Sequence, residues 1–115
     1  MPKTIAYIRV STDTQDLEKQ RHQILEYAHH QKMRVSEFIQ LEISSRKDQT
    51  KRRIDEVQSK LSKGDYLLTT ELSRLGRNMV ETLNIITTLT DKGVKVVFVR
   101  QPELSTSGAH GKLII

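Results

Sequence analysis

Arg9 and Ser11 lie two residues apart at the end of a segment, residues 3–10, that is rich in apolar side chains. Leaving a charge unpaired in apolar surroundings costs several kcal/mol, so this arginine is expected to meet an anion. Side chains alternate along a strand, so the Ser11 hydroxyl would lie on the same side as the Arg9 guanidinium. A nucleophile beside a fixed phosphate ligand indicates phosphoryl-transfer chemistry, with covalent catalysis by Ser11 as its simplest form.

Arg74 and Arg77 form a second basic pair, three residues apart, with Gly76 between them. On a helical turn both guanidinium groups could reach one anion, and Gly76 would permit either a close backbone approach or a tight turn. Arginine stays protonated and presents a planar fork of donors that matches phosphate. Together with Arg9, this pair would stabilise the charge on the oxygens of a phosphate undergoing transfer.

Each of these residues also has a purely structural interpretation. Arg74 and Arg77 fit surface arginines at the start of a helix, and Ser11 fits a helix cap or a turn. Neither interpretation accounts for Arg9 within the first apolar segment, so the four residues together favour a phosphate site.

Alternating strands and helices are predicted to position this site. Short apolar segments predict strands at residues 3–10, 35–41, 66–70 and 94–99. Helical spacing of apolar residues predicts a helix at 16–32, a second from 54 to the exit at Lys63-Gly64, and a third from 79 to the exit at Lys92-Gly93. The three helical stripes are Leu17, Ile24, Leu25 and Ala28; Ile54, Val57 and Leu61; and Met79, Leu83, Ile86 and Leu89.

This alternation predicts an α/β domain with a mostly parallel central sheet of four to five strands and helices on both faces. In such sheets ligands bind beyond the carboxyl ends of the strands. Ser11 follows the first strand, a basic segment follows the second, and Arg74 and Arg77 follow the third. These three segments are therefore expected to converge on one edge of the sheet.

The positive charge of the chain is concentrated in that basic segment. Among 115 residues, 19 basic and 14 acidic side chains give a net charge of +5, and residues 43–53 hold five basic residues and one acidic one. The segment lacks a helical or strand period, which predicts a loop. It is interpreted either as a solvated loop or as a surface that contacts phosphate or the DNA backbone.

Several classes of protein are disfavoured by composition. The chain has no cysteine, which excludes disulfides and thiolate metal sites and fits a cytoplasmic protein. It shows neither an apolar run of membrane-spanning length nor the pattern of a signal peptide. The four histidines lack metal-ligand spacing, and no glycine-rich nucleotide loop is present. With two phenylalanines, three tyrosines and no tryptophan, the chain is poor in platforms for stacking bases.

The motifs closely resemble the catalytic domain of serine site-specific recombinases, the resolvase and invertase family. Residues 7–12, with Gln15 and Gln20 after them, are similar to the nucleophile motif of that family. Residues 73–78 are similar to its second arginine motif, and residues 93–99 and 105–112 also follow the family pattern. The resemblance covers essentially the whole chain.

This resemblance implies that Ser11 attacks a scissile phosphate of double-stranded DNA, becomes linked to the 5′-phosphate end and releases a 3′-hydroxyl. It implies that Arg9, Arg74 and Arg77 form the phosphate cage. The phosphoserine bond conserves the energy of the phosphodiester, so no metal, ATP or other cofactor is expected. It also implies that Gln15 and Gln20 help to organise the site, and that Ser45 either contacts the phosphate or supports a residue that does.

Two positions depart from the family pattern. Ser73 stands where the family often has aspartate, which leaves the proton of the leaving group unassigned. In the loop after Ser45, an ungapped match places Lys51 on the position that is usually arginine, and a shift by one residue would place Arg52 there. We favour Lys51, with Arg52 as the alternative.

Family members continue into a long helix that forms dimers and then into a helix-turn-helix domain. The sequence is therefore expected to be one catalytic domain, residues 1–115, cut at the start of that helix and without the helix-turn-helix domain. On this hypothesis the full-length protein forms homodimers and a synaptic tetramer, whereas this chain alone is weakly associated or monomeric, with little or no activity.

Three functions remain open from the sequence. The first is an enzyme domain that cuts and rejoins DNA. The second is a non-catalytic module that binds the DNA backbone or pairs with intact subunits. The third is an unrelated α/β domain that binds or hydrolyses small phosphates, which turnover of a phosphomonoester would reveal.

Overall fold

The fold was derived from a computed structural model that describes residues 3–10, 14–42, 50–76 and 78–101. Four strands alternate with three α-helices, and a single 3-10 turn follows the third strand. In chain order the elements are β1 (Thr4–Val10), α1 (Thr14–His30), β2 (Glu37–Glu42), α2 (Thr50–Lys60), β3 (Tyr66–Thr69), the 3-10 helix (Leu72–Arg74), α3 (Met79–Asp91) and β4 (Lys95–Phe98).

The four strands form one parallel sheet in the order β2-β1-β3-β4. Ile5 of β1 pairs with Glu37 on one side and with Leu67 of β3 on the other. Leu67 in turn pairs with Val96 of β4. The predicted parallel sheet is confirmed, with four strands in the described part of the chain.

Alternation along β1 divides the core between the two faces of the sheet. Ile5 and Tyr7 belong to a buried cluster that includes the apolar residues of α2 and α3. Ala6 and Ile8 belong to a second cluster that includes Ile24 of α1. Helices therefore cover both faces, as the sequence predicts, with α1 on one face and α2 and α3 on the other.

The buried face of α3 differs from the predicted stripe. The buried residues are Thr82, Ile85, Ile86 and Leu89, while Met79 is 56% exposed and Leu83 is 36% exposed. Thr82 lies beside Gly76 on this buried face, where a Cβ atom built at residue 76 would come within 2.7 Å of Thr82 Oγ1. Helical spacing alone does not reveal that contact.

In helix α1 as well, a polar residue is buried and a residue predicted to be buried is exposed. Leu25, which was predicted in the buried stripe, is 44% exposed, whereas Gln20 is 0% exposed. A buried amide is stable only when it is hydrogen-bonded, and Gln20 meets this requirement through partners in other elements.

The prediction that residues 43–53 form a loop is wrong for its last four residues, because α2 begins at Thr50. The first turn of α2 carries no apolar side chain, so an apolar period could not reveal it. Residues 43–49 lie outside the described residues.

The predicted helix exit at Gly93 is confirmed, since α3 ends at Asp91 and Gly93 has φ of 85°. The predicted exit at Lys63-Gly64 is wrong, because α2 already ends at Lys60 and Gly64, with φ of 92°, lies in the turn before β3. Lys32, after α1, adopts the same left-handed region with φ of 56°. Its amide donates to His29 O, and the amide of Met33 donates to Ala28 O, which ends the helix.

Candidate active site

The candidate site lies where the order of strands reverses direction. From β1 the chain moves to β2 on one side, and it then crosses to β3 and β4 on the other side. In open parallel sheets, ligands bind at such a point, in the crevice beyond the carboxyl ends of the strands. Arg9 is the second-last residue of β1, and Arg74 ends the 3-10 helix after β3.

Reciprocal hydrogen bonds join the two arginine segments. Arg9 Nη1 donates to the main-chain oxygen of Gly76 at 3.4 Å, and Arg74 Nη1 donates to the main-chain oxygen of Arg9 at 3.2 Å. Each arginine therefore helps to fix the segment that carries the other. The predicted convergence of these two segments on one edge of the sheet is confirmed.

One donor of Arg9 has no hydrogen-bond partner within the described residues. Its Nε is buried in the protein and makes no such bond there. A buried donor without a partner costs free energy. The expectation from sequence that Arg9 meets an anion stays a prediction.

Gln20 connects α1 to both neighbouring strands of the crevice. Its Nε2 donates to the main-chain oxygen of Arg9 at 3.3 Å, and its Oε1 accepts from the hydroxyl of Thr70 at 3.2 Å. Gln20 and Thr70 are both 0% exposed. Gln20, one of the two glutamines predicted to organise the site, thus contacts the backbone that carries Arg9.

Asp16 is a further residue at the site, and the sequence analysis missed it. Its Oδ2 lies 3.3 Å from Arg74 Nη1 and accepts from Gln20 Nε2 at 3.0 Å. The only signal for Asp16 in the sequence is its position one helical turn before Gln20. An acidic residue in the first turn of a helix is common for electrostatic reasons alone, so that signal is weak.

Gly76 permits the close approach that the sequence analysis offered as one of two explanations. A Cβ atom at this position would lie 2.7 Å from Thr82 Oγ1 and 2.9 Å from Thr82 N. Any side chain at residue 76 would therefore displace either this segment or the amino-terminal end of α3. Asn78 caps that end of α3, because its side chain accepts from the amide of Glu81 at 2.8 Å.

A second group of residues missed by the sequence analysis holds the start of the 3-10 helix. The amide of Leu72 donates to Gln101 Oε1 at 2.9 Å. Arg100 pairs with Glu71 and also donates to Gln23 Oε1 at 2.5 Å. The segment that leads to Arg74 is thereby connected to the end of β4 and to α1.

The structure does not describe all of the predicted site residues. Ser11, Ser45 and Arg77 lie outside the described residues, and so do the side chains of Lys51 and Arg52, whose backbone belongs to α2. Two others, Gln15 in α1 and Ser73 in the 3-10 helix, are exposed.

A separate groove of about 530 Å³ lies between α2 and α3. Its lining includes the carboxylates of Asp55 and Glu81, and no arginine or lysine is among its described lining residues. A phosphate would be repelled there, so the groove does not compete with the crevice as an anion site.

Away from the site, ion pairs connect α2 to the edge strand β2. Arg53 pairs with Glu56 and donates to the main-chain oxygen of Gln40 at 2.9 Å, and Lys60 pairs with Glu37 at 2.6 Å. Burial alone would raise the pKa of Glu56, but Arg53 and Lys60 beside it hold that pKa below its ordinary value. The hydrogen bond to Glu37 raises the pKa of Lys60.

In the described part of the chain, no group of three or more histidine, aspartate or glutamate side chains could hold a metal ion. Among the helices that the structure describes, none has the length and apolar character needed to cross a membrane.

The family model for the N-terminal domain of resolvases matches residues 4–115. The chain belongs to this family, which confirms its resemblance to the catalytic domains of serine recombinases.

Two curated relatives are resolvases of Clostridium perfringens. The chain is 32% identical over 107 residues to the resolvase of strain 13 and 29% identical over 103 residues to a second one. Each alignment covers 90% of this chain and 52% of the relative, so the chain spans about half the length of the curated relatives it matches.

Solved structures share the fold. The N-terminal catalytic domain of TP901-1 integrase superposes with a TM-score of 0.73 at 24% identity, and the match covers 95% of this chain and 85% of that one. A resolvase family site-specific recombinase from Streptococcus pneumoniae gives the same TM-score and identity, and the match covers 95% of this chain and 78% of that one. The C-terminal catalytic domain of ISC1926 TnpA, an IS607-like serine recombinase, gives a TM-score of 0.63 at 26% identity, covering 84% of this chain and 67% of that domain. The expected fold of a resolvase-like catalytic domain is thus confirmed.

Proposed function

We propose that this chain is the catalytic domain of a serine site-specific recombinase, which cuts and rejoins double-stranded DNA through a covalent 5′-phosphoserine intermediate. The observation that carries the proposal is the pair of reciprocal hydrogen bonds between the Arg9 and Arg74 segments, beside a buried Arg9 Nε that lacks a partner within the described residues. Family membership supports the same reaction.

In the proposed reaction, the oxygen of Ser11 forms a bond to the scissile phosphorus while the bond from phosphorus to the 3′-oxygen breaks. Ser11 loses a proton, and the leaving 3′-oxygen gains one. The products are a 5′-phosphoserine and a free 3′-hydroxyl, and attack by a 3′-hydroxyl reverses the step. One phosphoester replaces another, so the reaction needs neither ATP nor a metal ion.

Arg9, Arg74 and Arg77 would stabilise the negative charge on the phosphate oxygens as this exchange proceeds. Ser11 follows Val10, the last residue of β1, and the Arg9 carbonyl just before them accepts from both Gln20 and Arg74. This support would hold the backbone before the nucleophile while the bond to phosphorus forms.

The remaining predicted residues are proposed to act around this centre. Ser45 would contact the phosphate or support it, and Gln15 would help to organise the site. Lys51, or alternatively Arg52, would supply a basic side chain from the first turn of α2, and its positive charge would attract the DNA backbone.

The proposal extends to the protein's assembly and location. A full-length protein would pair as a homodimer and assemble a synaptic tetramer on DNA, in the cytoplasm. The chain described here would be its catalytic domain, ahead of a dimerisation helix and a helix-turn-helix domain.

A cleavage trap tests the proposed reaction. Residues 1–115 are fused to the dimerisation helix and DNA-binding domain of a related recombinase, and the fusion is incubated with the matching site carrying a nick that prevents religation. We expect a covalent adduct at the 5′ end that is lost in Ser11→Ala. Ser36→Ala is the matched control, because Ser36 is exposed and precedes β2 at the opposite edge of the sheet, so it should form the adduct normally.

A fusion that binds its site without forming an adduct would contradict the proposed reaction. The non-catalytic module would then be the better hypothesis, and the departures at Ser73 and Lys51 would be the first positions to restore. An adduct that persists in Ser11→Ala would instead show that another residue is the nucleophile.

A further inference from the structure

We propose that Asp16 is a positioning residue, which holds the guanidinium of Arg74 from helix α1. The inference rests on the proposed function and deepens it, because it assigns a role in orienting the phosphate cage to a residue that neither arginine motif contains.

Asp16 links the buried side chain of Gln20 to the guanidinium of Arg74. Gln20 is buried and anchored on the main chain of Arg9 and on the hydroxyl of Thr70. Its Nε2 donates to Asp16 Oδ2 at 3.0 Å, and this same oxygen lies 3.3 Å from Arg74 Nη1. A carboxylate supported by a buried amide has little freedom to turn away, so it presents a fixed acceptor to Arg74.

Both described partners of the Arg74 side chain contact the same atom of its guanidinium, Nη1. Nη1 faces Asp16 Oδ2 and also donates to the main-chain oxygen of Arg9. A hydrogen bond and an ion pair at one nitrogen restrict the orientation of the group. Within the described residues, neither Nε nor Nη2 of Arg74 is used in a hydrogen bond, and these two atoms form an edge that can bind two phosphate oxygens at once.

The residue before Arg74 in the chain offers no carboxylate for this role. Ser73 precedes Arg74 in the 3-10 helix and is exposed. The ion pair that the described part of the chain gives to Arg74 is with Asp16, from an element far away in sequence. The side chains of this pair are 23% and 31% exposed, so the pair adds little to the stability of the fold and its main effect is on orientation.

Two variants and a matched control separate positioning from folding. Asp16→Asn keeps an oxygen that can accept from Gln20 but removes the charge, and Asp16→Ala removes both. Glu18→Gln is the control, because Glu18 is an exposed acid on the same helix and its change alters the net charge equally. Thermal unfolding of all three should stay close to that of the unchanged chain.

The first readout is the NMR signal of the Arg74 Nε–H group in the 115-residue chain, assigned by its loss in Arg74→Lys. We expect the signal to shift and to exchange faster with water in both Asp16 variants and to stay in place in Glu18→Gln. An Arg74 signal that is the same in the unchanged chain and in Asp16→Ala would overturn the proposal, whatever the activity.

The second readout is the rate of adduct formation by the fused chain on its site. We expect Asp16→Asn to lower this rate by between about tenfold and a hundredfold, as a misplaced catalytic group does, while the affinity for DNA changes less than about twofold. An Asp16→Asn fusion that forms adduct at the rate of the unchanged fusion would also overturn the proposal.

The two readouts distinguish this proposal from the proposed function. If the unchanged fusion forms no adduct, the proposed function fails, and the NMR signal alone decides whether Asp16 holds Arg74. If the unchanged fusion forms adduct and the Arg74 signal does not respond to Asp16, the proposed function stands and the role of Asp16 is rejected.

Discussion

The side-chain amide of Gln20 donates to the main-chain oxygen of Arg9 across 3.3 Å and thereby connects helix α1 to the end of strand β1. The same side chain accepts from Thr70, which follows β3. Gln20 thus joins the two neighbouring strands at the point where the sheet reverses its order, and it does so without exposure to solvent. A buried amide in this place serves both the fold and the candidate site.

Replacement of Gln20 by leucine should destabilise the protein. The Thr70 hydroxyl would be left buried without its acceptor, and the Arg9 oxygen would lose one donor. An unsatisfied buried polar group costs about 1–3 kcal/mol, so the free energy of unfolding in urea should fall by about that amount. The adduct yield of the Gln20→Leu fusion should fall as well, because the backbone before Ser11 loses its support.

Gln31→Leu is the control for that substitution, because Gln31 is exposed just after α1. It should change the free energy of unfolding by less than about 0.5 kcal/mol. Equal unfolding curves for the two variants would show that the hydrogen bonds of Gln20 contribute nothing measurable.

Gly76→Ala should displace the segment that carries Arg74. The new Cβ would lie 2.7 Å from Thr82 Oγ1 and 2.9 Å from Thr82 N, distances that require a backbone shift. Such overpacking typically costs about 1–3 kcal/mol, and we expect a loss of that size in urea unfolding together with weaker adduct formation by the fusion.

A double variant checks the cause of that loss. Thr82→Ala removes the nearer oxygen but leaves the Thr82 amide in place, so it should recover part, and not all, of the stability lost in Gly76→Ala. Complete recovery of stability would show that the clash with the Thr82 hydroxyl causes the whole loss. No recovery would show that the clash involves other atoms.

The alternation of apolar strands and amphipathic helices was sufficient to predict the parallel sheet and its two covered faces, because burial repeats at regular intervals along the chain. The arginine segments were predicted to meet because carboxyl ends of parallel strands share one edge. Asp16 escaped prediction because its partner, Arg74, is distant in sequence, and no local pattern encodes a contact across elements.

The buried face of α3 could not be predicted from the sequence for a related reason. Leu83 fits a helical stripe as well as Ile85 does, yet Ile85 is buried and Leu83 is exposed in a helix whose Thr82 lies beside Gly76. In the same way, Arg100 and Gln101 give no sign in the sequence that they hold the start of the 3-10 helix. Such contacts depend on packing in three dimensions.

Asp65 should make the stability of the fold depend on pH in acid. Burial alone would raise its pKa, but the amides of Lys3 and Ser62, which donate to the carboxylate at 2.9 and 2.8 Å, hold the pKa below its ordinary value of 3.8. A pKa that is lower in the folded than in the unfolded state stabilises the fold above about pH 4, and the contribution is lost as the pH falls through the folded value.

Asp65→Asn should therefore lower the free energy of unfolding at pH 7 by about 1–3 kcal/mol, and the difference from the unchanged chain should shrink below about pH 4. Urea unfolding across this pH range measures both effects. Asp55→Asn, at an exposed position on α2, is the control for removal of an acid and should change the free energy of unfolding at pH 7 by less than about 0.5 kcal/mol. A difference that stays constant with pH would mean that the charge of Asp65 is not the cause.

Lys32→Gly should stabilise the protein, because Lys32 ends α1 with φ of 56°, a conformation that disfavours residues with a Cβ atom. Relief of this strain is worth about 1–2 kcal/mol, and the greater freedom of glycine in the unfolded chain offsets part of it. We expect a net gain of about 0.5–1 kcal/mol in the free energy of unfolding, measured in urea.

Lys32→Ala keeps the Cβ atom and should give no gain, which separates the backbone effect from loss of the lysine side chain. Lys19→Gly, at an exposed position inside α1, should instead cost about 1 kcal/mol, because φ is already helical there. Equal effects of glycine at residues 19 and 32 would contradict the assignment of strain to Lys32.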